Sequence, residues 1–173
     1  MIKALPVDLR RLQDIGISSY LPHYTHLWEL GGVEWYMNRC FSDAALRNEL
    51  SDDNIEYYFV NAEGVDVGIL KLILHKPVPD SDLENALYLE KIYFVKEWTG
   101  RGAGRETIEF VLERAAALNC DLVWLMAMDT AAKPITAYER AGFEIYARTV
   151  LGSDFKLMKR EFRGMVIMTK NLS

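Results

Sequence analysis

The chain opens with apolar residues at helical spacing. Leu9, Leu12, Ile15 and then Tyr20 form the first stripe, with Asp8 as a candidate N-cap and Ile2 to Leu5 as a short strand before it. Gly31-Gly32 breaks the pattern. Val33, Tyr36, Met37, Cys40 and Phe41 then share one helical face, and Ser42 or Asp43 caps a further stretch through Leu50. The period then shortens to two. Ile55 to Asn61 is aromatic and β-branched, Ala62-Glu63-Gly64 is a turn, and Val65 to His75 alternates, so the two runs predict a hairpin. Lys76 to Asn85 holds two prolines and three acidic residues and reads as a loop.

The second half alternates strands with helices. Leu87 to Val95 reads as a strand, and Glu106 to Asn119 as a helix with Ile108, Val111, Leu112, Ala115 and Leu118 on its apolar face. Leu122 to Met128 is nearly all apolar, as a strand covered on both faces would be. Pro134 suits the first turn of a helix through Arg140, and Gly142 stops it. Phe143 to Leu151 and Phe162 to Lys170 are the last two strands. One crossover has the right length for a parallel pair. The fold class is therefore mixed α/β: one largely antiparallel sheet flanked by helices, in a single domain over 1–173.

Composition narrows the class of function. Half of the 173 residues are hydrophobic, enough for a sizeable core. A net charge of −5 argues against nonspecific nucleic-acid binding and is compatible with a cationic substrate. Cys40 and Cys120 sit in apolar segments and read as reduced core residues of a cytoplasmic protein. There is no charged-then-apolar leader at Met1. No apolar run is long enough to span a bilayer, the longest being Leu122 to Met128, so no membrane partner is expected. No His/Cys/Asp cluster has metal-ligand spacing, and His75 at a strand end reads as polar surface.

The densest chemistry lies at Thr99-Gly100-Arg101-Gly102-Ala103-Gly104-Arg105, between a strand and a helix. Glycines keep side chains away from the backbone N–H groups, and the helix N-terminus adds unpaired donors and a positive dipole end. Arg101 and Arg105 add full charges. The physical reading is a pyrophosphate cradle. A P-loop needs Lys and Ser or Thr after its last glycine, whereas Gly104 is followed by Arg105-Glu106. A dinucleotide fingerprint lacks its third glycine, although Asp129 stands where a ribose-binding acid would be. A helix-entry loop without a ligand is the remaining alternative.

With the preceding Glu90-Lys91-Ile92-Tyr93-Phe94-Val95, this loop resembles motif A of the GNAT N-acetyltransferases, a strand followed by Gln/Arg-x-x-Gly-x-Gly/Ala. Ala137-Tyr138-Glu139-Arg140-Ala141-Gly142-Phe143 resembles motif B, Phe-Tyr-x-x-x-Gly-Phe, in the same order and separation. The likeness covers about Ile55 to Lys170. It is nearest to PaiA-type polyamine (spermidine/spermine) acetyltransferases, through Trp35-Tyr36-Met37, Cys40-Phe41, Leu46, Glu49-Leu50 and the ending Met165 to Lys170.

The resemblance implies acetyl-CoA as cosubstrate and acetyl transfer to a primary amine, with a polyamine favoured. The cofactor arm would run along the backbone of Ile92, Tyr93 and Phe94. An N–H near Ile92 would polarise the thioester carbonyl, and the pyrophosphate would rest on Arg101 to Arg105. Tyr138 matches the tyrosine that protonates the leaving sulfur, and Arg140 is placed to reach the cofactor phosphates. Glu90 matches a strand carboxylate used as general base, and alternation puts it on one face with Ile92 and Phe94. A carboxylate of ordinary pKa is a poor direct base for an ammonium, so relay through water is expected. A homodimer is also implied.

The motif has departures. Thr99 stands where Gln or Arg is usual, Ala131 where Asn is often found, and Pro134 replaces a small helix former. Other readings stay open. Glu90 can pair with Lys71 or Lys91 as a salt bridge. Tyr138 can be a half-buried helix aromatic. Tyr24, Trp28 and Trp35 can line an amine pocket by cation–π contact or simply pack. The activity can instead be acetylation of a protein N-terminus or lysine, which needs a peptide groove that Leu151 to Arg160 leaves open. A CoA-binding regulatory module with little turnover is the third alternative.

Overall fold

The apolar runs of the chain pair into one sheet. In the computed structural model, which describes residues 1–172, the strand order is β1-β2-β3-β4-β5-β7-β6. The strands are β1 (Ile2–Lys3), β2 (Ile55–Ala62), β3 (Val65–Ile73), β4 (Ala86–Phe94), β5 (Leu122–Met128), β6 (Glu144–Val150) and β7 (Gly164–Asn171). The helices are α1 (Leu9–Tyr24), α2 (Gly32–Phe41), α3 (Asp43–Leu50), α4 (Ala103–Ala117) and α5 (Ala132–Arg140). Neighbouring strands are antiparallel except β4 and β5, which run parallel through the α4 crossover.

Alternation along the strands explains the layers. Tyr57, Phe59 and Ile69 pack under α1–α3 with Leu9, Leu12, Phe41 and Leu46. Tyr58, Leu70, Leu72, Leu87 and Leu89 face the other way, onto Ile108, Val111 and Ala115 of α4. Cys40 and Cys120 are buried free thiols. No helix among the described residues is long and apolar enough to cross a membrane.

Three local differences from the sequence pattern have clear causes. Asp8 does not cap α1. A 3-10 turn at Pro6–Asp8 precedes the helix, and the Asp8 carboxylate accepts the Leu5 N–H instead. Helix α4 starts at Ala103, inside the glycine loop, because Gly102 takes the left-handed φ of 90° that the entry turn requires. The final hairpin folds with β7 inside and β6 at the edge, which leaves Ile145, Tyr146 and Val150 exposed.

The difference that shapes the site lies in β4. Leu72 pairs with Leu89 and Lys71 with Lys91, so Glu90 is an extra residue in the strand, a β-bulge. An extra residue inverts the side-chain alternation that follows it. Leu89 and Ile92 therefore share the α4 face, and the Phe94 ring also lies on that side, near Gly104. Glu90 turns to the opposite face, against Lys71, and Tyr93 lies on that face too. The expectation that Glu90, Ile92 and Phe94 share a face is thus corrected by the bulge. Pairing of β4 with β5 also stops here, at Leu89 and Leu125. Gly68, opposite Phe94, permits the tight β3–β4 approach. A Cβ there would stand 2.2 Å from the Tyr93 carbonyl oxygen.

Candidate active site

Where β4 and β5 part, a cavity of about 250 Å³ opens between the two helix layers. Its walls include Leu89, Ile92, Ala131, Pro134 and Tyr138 from the α4/α5 side. Tyr20, Tyr24, Tyr36, Tyr93, Glu90 and Lys91 line it from the α1–α3 side. The register shows which backbone groups face it. The Val95 N–H donates to the Val67 carbonyl, so Lys91, Tyr93 and Val95 turn their backbone groups to β3. Ile92 and Phe94 turn theirs the other way, toward the gap that β5 no longer fills. His23 Nε2 donates to the Phe94 carbonyl at 2.9 Å.

Tyr138 enters from α5 on the same helical face as Ala131 and Pro134, and its ring meets Phe143 edge-on at 5.9 Å. Its hydroxyl has no hydrogen-bond partner among the described residues, and burial pushes its pKa above the usual tyrosine range. The group stays protonated and can donate.

At the end of β4 the loop is open backbone. Gly100 and Gly102 have φ of 78° and 90°, and nothing lies within 4 Å of where a Cβ would stand at either. The first amide of this turn to pair back is that of Glu106, to the Gly102 carbonyl, so the N–H groups of Ala103, Gly104 and Arg105 remain as donors. These donors and the dipole end suit a pyrophosphate. Thr99 takes no part as an anchor. Its hydroxyl donates to the Lys96 carbonyl at 2.6 Å. Arg101 lies over the Trp98 ring at 5.2 Å, and Arg105 pairs with Glu109 at 2.8 Å across the exposed first turns of α4.

Across the sheet, Glu90 sits between two buried ammonium groups. Its Oε2, out of solvent, lies against Lys71 as an ion pair without a well-aligned hydrogen bond, and its Oε1 is 3.2 Å from Lys91. Lys71 is also held by Glu49 at 2.7 Å, and Glu49 accepts the Tyr57 hydroxyl at 2.5 Å. Burial alone would raise the Glu90 pKa, but the charges of Lys91 and Lys71 outweigh it and hold the carboxyl below its ordinary value. A carboxylate held ionised in this way is a weak base toward an ammonium. The salt-bridge alternative describes its geometry.

Of the aromatic candidates, only Tyr24 lines the cavity. Trp28 is buried behind the wall, stacked on Tyr36, with its indole N–H donated to the Tyr20 hydroxyl at 2.8 Å. Trp35 packs on Phe155 and lies 5.3 Å from the Arg39 guanidinium. Arg140, two residues beyond Tyr138, is about 200° around the helix and exposed, away from the cavity.

Residues that sequence reasoning missed are Tyr20, Tyr36 and His23, together with Leu151, Phe155 and Met158, while Lys91 was foreseen only as a partner of Glu90. The last three belong to the loop between β6 and β7, which docks onto the segment before α2. Trp28 and Met158 form an isolated β-bridge. The Glu29 N–H donates to the Leu157 carbonyl, and the Lys159 N–H to that of Leu27, both at 2.9 Å. The i, i+4 pair Tyr20/Tyr24 was a signal for an aromatic wall. Nothing local signalled the strap.

The profile of the acetyltransferase (GNAT) family matches residues 21–143, and the chain belongs to that family. Among curated proteins it is similar to an uncharacterized N-acetyltransferase in the pepI 3′ region of Lactobacillus delbrueckii subsp. lactis, 26% identical over 90 residues. That match spans 52% of each chain, so about half of the relative's length. Among solved structures it is similar to the PaiA N-acetyltransferase from Thermoplasma acidophilum in complex with coenzyme A. The TM-score is 0.74, the identity 17%, and the coverage 98% of this chain and 96% of that one. A variant of the spermidine N-acetyltransferase SpeG from Vibrio cholerae gives a TM-score of 0.68 at 16% identity, over 99% and 92%. Both likenesses are likenesses of fold.

Proposed function

We propose that this chain is an acetyl-CoA-dependent N-acetyltransferase of small primary amines. The observation that carries the reading is the parting of β4 from β5 at Leu89, which brings Tyr138 and the unpaired backbone of Ile92 to one cavity. Family membership and the coenzyme A held by the PaiA structure support the choice of cosubstrate.

When bound, the thioester supplies an activated acetyl group. The chain's own residues do the rest. The Ala103, Gly104 and Arg105 N–H groups and the α4 dipole hold the pyrophosphate. The outward backbone of Ile92 and the Phe94 N–H align the arm as an added strand, the Phe94 carbonyl being held by His23, and the Ile92 N–H polarises the carbonyl where charge develops. Tyr138, kept protonated by burial, gives its proton to the departing sulfur. Glu90 holds the incoming amine, whose proton leaves to water.

The strap supports a small acceptor over a protein one. Its bridge at Trp28 and Met158 occupies the groove that a peptide would need, and about 250 Å³ lies below the roughly 300–1,000 Å³ of drug-sized ligand pockets. A polyamine is favoured by the name of the SpeG relative. Against it, the one carboxylate on the cavity wall among the described residues is shared by two lysines, which favours an amine of single charge. Release of free CoA thiol from acetyl-CoA across a panel of small amines tests the reading. Coenzyme A binding with no turnover on any amine would instead favour the regulatory module.

A further inference from the structure

We propose that Glu90 and Lys91 form a recognition site for an α-amino-carboxylate, so that the acceptor is an α-amino acid with an apolar or aromatic side chain. This rests on the acetyl-transfer reading. Consecutive strand residues ordinarily point to opposite faces. Here the bulge turns Glu90 and Lys91 to the same face, with Glu90 Oε1 3.2 Å from Lys91 Nζ. Both line the cavity, and Glu90 is two residues from the Ile92 amide.

The two lysines are not equivalent. Lys71 lies between Glu49 and Glu90 and is fully engaged. Lys91 is only 5% exposed, yet its one ionic partner among the described residues is Glu90, already shared with Lys71. The charges of Lys71, Lys91, Glu49 and Glu90 balance, but the single contact of Lys91, to Glu90 at 3.2 Å, leaves its ammonium with N–H donors for a further acceptor. A carboxylate on the substrate supplies it. The adjacent ammonium then lies on Glu90, and the pair mirrors the zwitterion charge for charge. A polyamine offers nothing to Lys91 and brings more positive charge beside it. The remaining wall, including Tyr20, Tyr24, Tyr36 and Met126, suits an apolar side chain.

In the reaction the α-nitrogen forms a bond to the acetyl carbon and the C–S bond breaks. The ammonium first loses one proton to water, the free amine attacks, and the nitrogen sheds its second proton as the amide forms; the sulfur takes its proton from Tyr138, which recovers one through water from the nitrogen.

The test is kcat/KM for phenylalanine and leucine against phenethylamine and isoamylamine, which lack only the carboxylate, and against spermidine. The wild-type protein is expected to prefer the acids by roughly 10- to 100-fold, the worth of hydrogen bonds to a charged group. Lys91→Met is expected to collapse that ratio, and Lys91→Arg to restore part of it. If Lys91→Met does not fold, the wild-type ratio decides alone. Faster acetylation of the decarboxylated amines or of spermidine would overturn the inference and leave acetyl transfer standing. No turnover on any amine would overturn acetyl transfer itself.

Discussion

Trp28 bridges Met158 backbone to backbone, and this contact ties the N-terminal layer to the loop between β6 and β7. It makes one wall of the cavity out of two distant segments. Trp28→Ala would remove a side chain 5% exposed, its stack on Tyr36 and its hydrogen bond to Tyr20. The expected cost is about 3–5 kcal/mol by urea unfolding, with a raised KM for the amine.

Gly102 is required at its left-handed φ of 90°, at the head of α4. Gly102→Val is expected to cost about 1–2 kcal/mol in stability through backbone strain. It should also turn the Ala103 to Arg105 amides out of line. Calorimetric titration of coenzyme A should show affinity lowered by about 10-fold, the worth of one charge-assisted hydrogen bond.

Thr99 spends its hydroxyl on the Lys96 carbonyl and leaves the pyrophosphate to backbone donors. Thr99→Arg adds a bidentate donor where the related motif carries one. The KM for acetyl-CoA is expected to fall several-fold, with a steeper salt dependence.

Glu56 is 3% exposed and accepts hydrogen bonds from Arg114, Lys3 and Tyr58. Burial would raise its pKa, but these donors outweigh it and hold the carboxyl at about 2, against an ordinary 4.5. The folded state therefore binds its proton more weakly than the unfolded chain. The stabilisation, on the order of 3 kcal/mol, is complete above about pH 4.5 and is lost as pH falls toward 2. Stability of Glu56→Gln measured by urea unfolding should show a correspondingly flatter slope over that window.

How far the sequence could be read depended on whether a signal was local. The uninterrupted run Leu122 to Met128 is β5 residue for residue, and the parallel β4–β5 pair followed from the length of the crossover. The open glycine loop at the head of α4 was legible because glycine and helix entry are neighbours in sequence. The bulge at Glu90 was not. Alternation predicts a face only for an unbroken ladder, and here the extra residue inverts it, so Glu90 lies across the sheet from Ile92, although its pairing with Lys71 and Lys91 was among the alternatives the sequence offered. The strap was equally hidden, because Leu151, Phe155 and Met158 meet Tyr20 and Tyr24 only in the folded chain. Trp28 and Trp35 carried the right chemistry for an amine wall but are spent on packing.

The central claim is that acetyl transfer occurs where β4 leaves β5, with Tyr138 as the proton donor to sulfur. Release of CoA thiol by the wild-type protein and by Tyr138→Phe, on the best acceptor of the amine panel, tests it most directly. The account predicts that Tyr138→Phe lowers kcat by roughly 10²- to 10³-fold, within the range of general acid catalysis, and leaves coenzyme A affinity nearly unchanged. An unchanged kcat in Tyr138→Phe would contradict it.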